Sequence, residues 1–235
     1  MKSLQVGRGV MLLKMTLNSL VFAVVLGLLL FLPAGTLGWP QAWVFMALLI
    51  GCSEATGVWL MEADPDLLAA RSKSPISADQ KPIDRAVMAA IMVVFLGWIV
   101  FMGLDARRFG WSHTPAWAQV FGAALIVGAF WGWIGVLRVN TFAATTIKLQ
   151  QDRGQTVIAA GPYAVVRHPM YAYVLPLMIG TSLLLGSLWG LAWLVPAMPL
   201  LAARALGEEA MLKDGLPGYR DYAARVRFRL VPGLW

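Results

Sequence analysis

Residues 15–53 contain no lysine, arginine, aspartate or glutamate. That run is nearly twice the roughly 20 apolar residues one helix needs to cross a hydrocarbon layer. It is interrupted by Pro33, Gly35, Gly38 and Pro40, so it predicts two spanning helices, about 17–37 and 41–61, with a short turn between them. Residues 86–104 give a third span and 117–139 a fourth. Residues 168–203 again lack Lys, Arg, Asp and Glu and are broken at Gly186-Ser187, which predicts a tight helical hairpin over 170–185 and 188–206. Its first arm reaches only about 24 Å at 1.5 Å per residue. Pro176, Pro196 and Pro199 would kink the pair. The open end of the hairpin is therefore expected below the lipid headgroups, with its polar flanks at an interfacial pocket; a re-entrant pair is the alternative.

The fold class expected from this pattern is all-α: a polytopic membrane protein with about six transmembrane helices, the last two a tight helical hairpin, and a cytosolic C-terminal tail. It divides the chain into a four-span region, 1–139, and a region of loop, hairpin and tail, 140–235. Composition agrees. The chain of 235 residues is 59% hydrophobic and only 13% charged, against roughly 25% charged in a soluble domain. A disordered chain, a disulfide-stapled domain and an ordinary soluble enzyme are excluded on that ground. The lone cysteine, Cys52, sits in an apolar stretch and reads as a small core residue.

The formal net charge is +7. Because the basic residues fall between apolar blocks, they read as determinants of membrane orientation and contacts with anionic lipid, with no nucleic acid as partner. Of the 19 Lys and Arg, all but Arg107 and Arg108 fall on one side of the six-span arrangement. The positive-inside rule makes that side, with both termini, cytosolic. Trp39, Trp43, Trp111, Trp117, Trp189 and Trp193 then fall at the outer ends. Lys2, Arg8 and Lys14 precede an apolar run, as in a signal peptide, but its length and the lack of a small-residue cleavage site favour a span.

Three polar segments share the cytosolic side. In residues 62–85, Asp64 as N-cap, Pro65 at the first helical position and Asp66 in the first turn predict a short interfacial helix. Residues 140–167 lead into Gly161-Pro162-Tyr163 and Arg167-His168-Pro169-Met170-Tyr171, where a helix start stands beside a cation and an imidazole. Free N–H groups and an arginine fork suit a carboxylate, although a basic aromatic membrane anchor would look the same. The third segment carries Arg204, Glu208, Glu209, Gly218-Tyr219-Arg220-Asp221-Tyr222 and Arg225. The hairpin returns Arg204, Glu208 and Glu209 to the face of Arg167 and His168, an arrangement suited to a zwitterionic, aromatic cofactor beside a lipid-soluble substrate. Glu54, the acid placed inside a span, reads as functional, as snorkelling toward the interface, or as a helix–helix hydrogen bond. With two histidines predicted on opposite sides, no metal site is expected. Phosphate-loop, dinucleotide and nucleophile-elbow motifs are missing.

The combination of Gly161-Pro162-Tyr163, Arg167-His168-Pro169-Met170-Tyr171, Glu208-Glu209-x-x-Leu212 and Gly218-Tyr219-x-x-Tyr222 resembles the integral-membrane methyltransferases related to isoprenylcysteine carboxyl methyltransferase and phospholipid N-methyltransferase. The resemblance covers about residue 140 to the C-terminus. It implies S-adenosylmethionine as methyl donor, bound from the cytosol between the hairpin and the tail. Carried over by position, Tyr163, His168, Pro169, Tyr171 and Glu209 would line the cofactor, joined by Gln155, Val157 and Ile158. Arg204 would face the substrate, a lipophilic or small methyl acceptor such as a carboxylate, amine or thiol. On chemical grounds Arg167 and His168 suit the cofactor's carboxylate, and Glu208 or Glu209 its hydroxyls and amino group. Two other readings stand beside this one. The terminal Arg225-Val226-x-Phe228-Arg229 is similar to the ends of membrane sterol-type reductases that use a nicotinamide cofactor. A transporter or lipid-binding protein would use the same cluster for anchoring alone.

Overall fold

The computed structural model describes residues 2–74, 76 and 80–235, with the side chains of residues 2–8 and 10 left outside the description. Lys2 and Arg8, which contribute to the charge asymmetry, are therefore described in backbone only. The described residues form helices and turns, with no strand. The long helices are α1 (Lys2–Ala34), α2 (Pro40–Ala63), α4 (Pro82–Gly103), α5 (Ala116–Val139) and α8 (Leu194–Gly215). The short ones are α3 (Pro65–Arg71), α6 (Pro169–Ala172), α7 (Val174–Leu185) and α9 (Tyr219–Arg225). Five helical segments are long and apolar enough to cross a membrane, and Pro169–Leu185 is a shorter apolar one.

On α1, Leu13, Leu17, Leu20, Val24, Leu28 and Leu32 recur every three or four residues, and all are more than half exposed. Such a stripe of bare aliphatics has no place in water and faces lipid. Core residues come from the opposite faces: Leu30, Trp39, Phe45, Trp98, Met102, Ile126 and Met178 meet in one cluster. Trp39, expected at the outer membrane boundary, lies inside that cluster at 1% exposure, edge-on to Phe31 with ring centroids 6.5 Å apart. The turn before Pro40 folds it inward, whereas Trp43, Trp111, Trp117 and Trp189 remain exposed.

Helices α5 and α7 cross most closely, and two glycines explain why. A Cβ on Gly122 would stand 2.5 Å from the carbonyl oxygen of Gly180, and a Cβ on Gly180 would stand 2.6 Å from that of Gly122. Backbone meets backbone here, as small residues allow between apolar helices. Farther along α5, the Tyr173 ring lies against Gly132, within 2.2 Å of where a Cβ would be.

Inter-helix contacts sort the loops into two ends. At one end, Gly186 takes φ 87° to close the hairpin. Ser187 Oγ donates to the buried Asp105 carboxylate at 2.6 Å, and Ser112 Oγ donates to the same oxygen at 2.5 Å. The last turn after α4 is a π-helix, Leu104–Phe109, which carries Asp105 into this contact. Arg107 and Arg108 lie at this end, with Arg107 donating to the Gly38 carbonyl. The opposite end gathers α3, the 140–168 loops, α6, the last turns of α8 and α9, and it carries the site. The expected hairpin is present with finer structure. Pro176 cannot donate to the Ala172 carbonyl, and α6 stops at Ala172. The return arm opens with the 3₁₀ turn Trp189–Trp193 before α8. Between α1 and α2, Ser19 Oγ donates to Glu54, the helix–helix hydrogen bond that is one of the readings of this acid.

Candidate active site

Helix α3 starts as its sequence dictates. Asp64 accepts from Leu67 N–H at 2.9 Å and Pro65 occupies the first position. Its other carboxylate oxygen accepts from the Thr141 hydroxyl, tying α3 to the loop after α5. At the far end of the helix, Arg71 donates to the Ala143 carbonyl at 2.8 Å. The loop is also braced from within. Gln150 Nε2 donates to the Phe142 carbonyl at 2.8 Å, and the Gln150 N–H donates to Gln155 Oε1 at 2.8 Å. Gln155, Val157 and Ile158 follow in a stretch without helix along the site.

The next wall is built from three tyrosines and the tail. Asn140 Nδ2 donates to the Tyr163 hydroxyl at 2.6 Å, and the Tyr222 hydroxyl donates to the Tyr163 carbonyl at 2.8 Å. Arg167 N–H and His168 N–H donate to the Phe228 and Arg229 carbonyls, both at 2.9 Å. The C-terminal segment therefore holds the Arg-His-Pro turn in place by main-chain bonds. Pro169 is buried at the first position of α6. Burial pushes the Tyr163 and Tyr219 phenols well up, and raises Tyr222 to about 12. All three are neutral at physiological pH.

Behind this wall sits Glu209, 1% exposed. Its Oε1 lies 3.3 Å from His168 Nε2 and 3.1 Å from Arg229 Nε. Arg167 Nε is 2.9 Å away as an ion-pair contact, though without the alignment of a hydrogen bond. Lys213 Nζ is 3.3 Å from Oε2. Glu208 stands on the cavity side of the same ring: its Oε2 accepts from the Tyr171 hydroxyl at 2.8 Å and lies 3.6 Å from His168 Nδ1. The His168 and Tyr171 rings stack with centroids 5.5 Å apart and planes 8° apart. Burial draws the His168 imidazole down, but its hydrogen bonds to Glu208 and Glu209 and their negative charge outweigh it. The imidazole ends above its ordinary value. Tyr171 also accepts from Arg204 Nε at 3.1 Å, and Arg204 donates through a terminal nitrogen to the Thr145 carbonyl at 2.6 Å.

These groups surround a cavity of about 350 Å³, within the usual range for small-molecule sites. Gln155, Val157, Ile158, Tyr163, Arg167, His168, Tyr171, Arg204 and Glu208 all line it. Pro169 and Glu209 do not line it; they lie beneath the wall, where Pro169 sets the helix start and Glu209 gathers the cations. Four basic groups around one buried carboxylate leave the wall positively biased, and one guanidinium nitrogen of Arg204 is buried with no hydrogen-bond partner. Sequence reasoning missed Arg71, Asn140 and Arg229. The Asp64 cap was a usable signal for Arg71, which is the only cation of the short helix that this cap begins. The apolar lining includes Met88, Trp133, Met170 and Val174, reached only through tertiary packing.

Comparison with curated proteins gives no match to this chain. Residues 117–216 match the family model described as phospholipid methyltransferase. That stretch runs from α5 to the end of α8 and contains every site residue from Gln155 to Glu209, while Arg71, Tyr219, Tyr222 and Arg229 lie outside it. Over residues 117–216 the chain is thus similar to the phospholipid methyltransferase family of membrane methyltransferases, as its motifs imply.

Proposed function

We propose that this protein is an integral-membrane methyltransferase that takes its methyl group from S-adenosylmethionine and delivers it to a lipophilic or small acceptor, a carboxylate in the first instance. The observation that carries the reading is the convergence of the Arg167-His168 turn, Glu208 and Arg204 on one cavity inside the family-matched stretch, with Glu209 buried behind its wall. S-adenosylmethionine, when bound, supplies a methyl group activated by its sulfonium.

The residues fit that donor. Its carboxylate suits the positively biased side of Arg167 and His168. Its amino group and ribose hydroxyls suit Glu208, whose side chain is 31% exposed beside the buried Glu209. The neutral rings of Tyr163 and Tyr219 offer faces to a planar base or a cation. Gln155, Val157 and Ile158 supply an edge of backbone without helix.

Methyl transfer is an in-line displacement, so these residues contribute chiefly by orienting the acceptor and excluding water. An acceptor carboxylate needs no base. An amine or thiol must shed a proton, and the Glu208 carboxylate, oriented by Tyr171, is the acceptor for it on the cavity wall. Both termini lie on the cytosolic side in this reading, and the site opens there to a soluble donor.

The experiment is to incubate membranes containing the protein with methyl-labelled S-adenosylmethionine and separate the lipid, protein and volatile fractions. Label in one fraction, lost in His168→Ala and Glu209→Ala, supports the reading. Absence of S-adenosylhomocysteine binding to the purified protein overturns it.

A further inference from the structure

Five basic side chains line the cavity: Arg71, Lys148, Arg167, His168 and Arg204. They are not equivalent. Arg167 and His168 are engaged with Glu209, and Lys148 is exposed. Arg71 and Arg204 remain, and among the described residues neither stands within ion-pair distance of a carboxylate. They approach from different elements, Arg71 from the last turn of α3 and Arg204 from α8. Both donate to the same short strap of loop, Arg71 to the Ala143 carbonyl at 2.8 Å and Arg204 to the Thr145 carbonyl at 2.6 Å. Arg204 is 6% exposed, and one of its terminal nitrogens is buried without a hydrogen-bond partner. Burial is heavy enough at Arg71 to draw its guanidinium below the ordinary value.

Arg71, half-buried, is bonded to a carbonyl, and buried Arg204 to a carbonyl and the Tyr171 hydroxyl; neither has an anionic partner of its own. A buried cation is normally paired, since carbonyl dipoles replace only part of its lost hydration. Both line one cavity, and the unpartnered Arg204 nitrogen leaves a donor there for an anion.

We propose that Arg71 is a specificity-determining residue of the methyl-acceptor site: with Arg204 it holds a carboxylate or phosphate on the acceptor, whose apolar tail lies along Met88, Trp133 and Val174. This deepens the methyltransferase reading, and it assigns a role to a residue outside the family-matched stretch. The planar forks of arginine suit either oxyanion, so both sources share one chemistry. The aliphatic and aromatic side of the cavity suits a chain rather than a second polar group.

The test uses the purified full-length protein in neutral-lipid nanodiscs. Binding of dodecanoate, dodecyl phosphate and dodecanol is measured by calorimetry, with S-adenosylhomocysteine titrated in parallel. The wild type is expected to prefer the anionic probes over dodecanol by about tenfold or more, the scale of one charge-assisted hydrogen bond. The better of the two anions identifies the headgroup. Arg71→Gln is expected to erase most of that preference while S-adenosylhomocysteine affinity stays within about twofold, and exposed Lys73→Gln to leave both unchanged. A distorted site would lose dodecanol and anion binding together, so the ratio separates recognition from structure. Equal binding of dodecanol by the wild type overturns the proposal, as does an undiminished preference in Arg71→Gln. If Arg71→Gln does not fold, Arg71→Lys decides: it keeps the charge without the fork, and an unchanged preference overturns the proposal. A wild type that binds dodecanoate but no S-adenosylhomocysteine sinks the donor reading and leaves the anion subsite standing.

Discussion

His168 and Glu209, 41 positions apart in the chain, meet with Nε2 3.3 Å from Oε1. That contact joins the two halves of the motif on which the methyltransferase resemblance rests. It also sets the stability of the site, because Glu209 at the same time faces Arg167, Arg229 and Lys213. Removing one member of a buried ion cluster leaves the others uncompensated, at a cost of about 3–5 kcal/mol. Glu209→Gln is therefore expected to lower the denaturation midpoint sharply and to weaken S-adenosylhomocysteine binding as a consequence. Glu208→Gln, at a partly exposed position, should lower the midpoint less than Glu209→Gln does while still weakening binding. A thermal scan of both variants, read beside their affinities, checks the contrast.

The same pair predicts a pH dependence. The folded protein holds the His168 imidazole above its ordinary value of 6.5 through Glu208 and Glu209, despite its burial. A raised folded-state value means the charged form stabilises the fold. That contribution is complete below about pH 6.5 and disappears as pH rises through the higher folded-state value. The stability gap between wild type and His168→Gln should be widest at pH 6 and narrow toward pH 9. A constant gap over that interval would remove the charged imidazole from the account.

Tyr171 links the two sides of the cavity, donating to Glu208 and accepting from Arg204. Tyr171→Phe keeps the ring stacked on His168 but loses both bonds. Each hydrogen bond to a charged group is worth about 1.5–3 kcal/mol, so methyl transfer should fall by about tenfold or more. Comparing kcat and KM for the donor locates the loss; it is expected in kcat, since orientation at the acceptor is what changes.

The α5–α7 crossing predicts a stability effect with no chemistry in it. An alanine at Gly122 or Gly180 would drive a Cβ to about 2.5 Å from backbone oxygen, and overpacking of this kind costs about 1–3 kcal/mol. Gly128, on the same helix, has no heavy atom within 4 Å of its built Cβ. Gly128→Ala should be neutral or mildly stabilising. Melting temperatures of the three variants in one detergent make the comparison.

Much of the fold was legible because lipid imposes a simple rule. A backbone in hydrocarbon must satisfy its own hydrogen bonds, so long charge-free runs become helices and breaks in them become turns. Pro40, Pro65 and Gly186 do what their chemistry allows almost anywhere. That Trp39 packs into the core while Trp43 stays exposed is decided by the inward turn before Pro40, since an indole at a helix end suits the interface or the core equally. The Gly122–Gly180 contact could not be read from spacing, since Gly128 and Gly135 on the same helix have nothing within 4 Å of a built Cβ.

The site follows the same division. The polar segments, the cap at Asp64 and the convergence of Arg167, His168, Glu208 and Glu209 on one end follow from charge placement and the hairpin turn, which are local properties of the chain. Which carboxylate is buried and which faces the cavity depends on a rotation of about 100° between neighbours on α8, set by what packs against the helix. Arg71, Asn140 and Arg229 enter the site because α3, the loop after α5 and the tail fold back to the same end. The sequence by itself determined a helical membrane protein with its chemistry gathered at one boundary, since apolar length and charge position act without knowledge of neighbours. Only the tertiary structure decided which cations stand against a carboxylate and which do not, because pairing is a matter of distance between residues far apart in the chain.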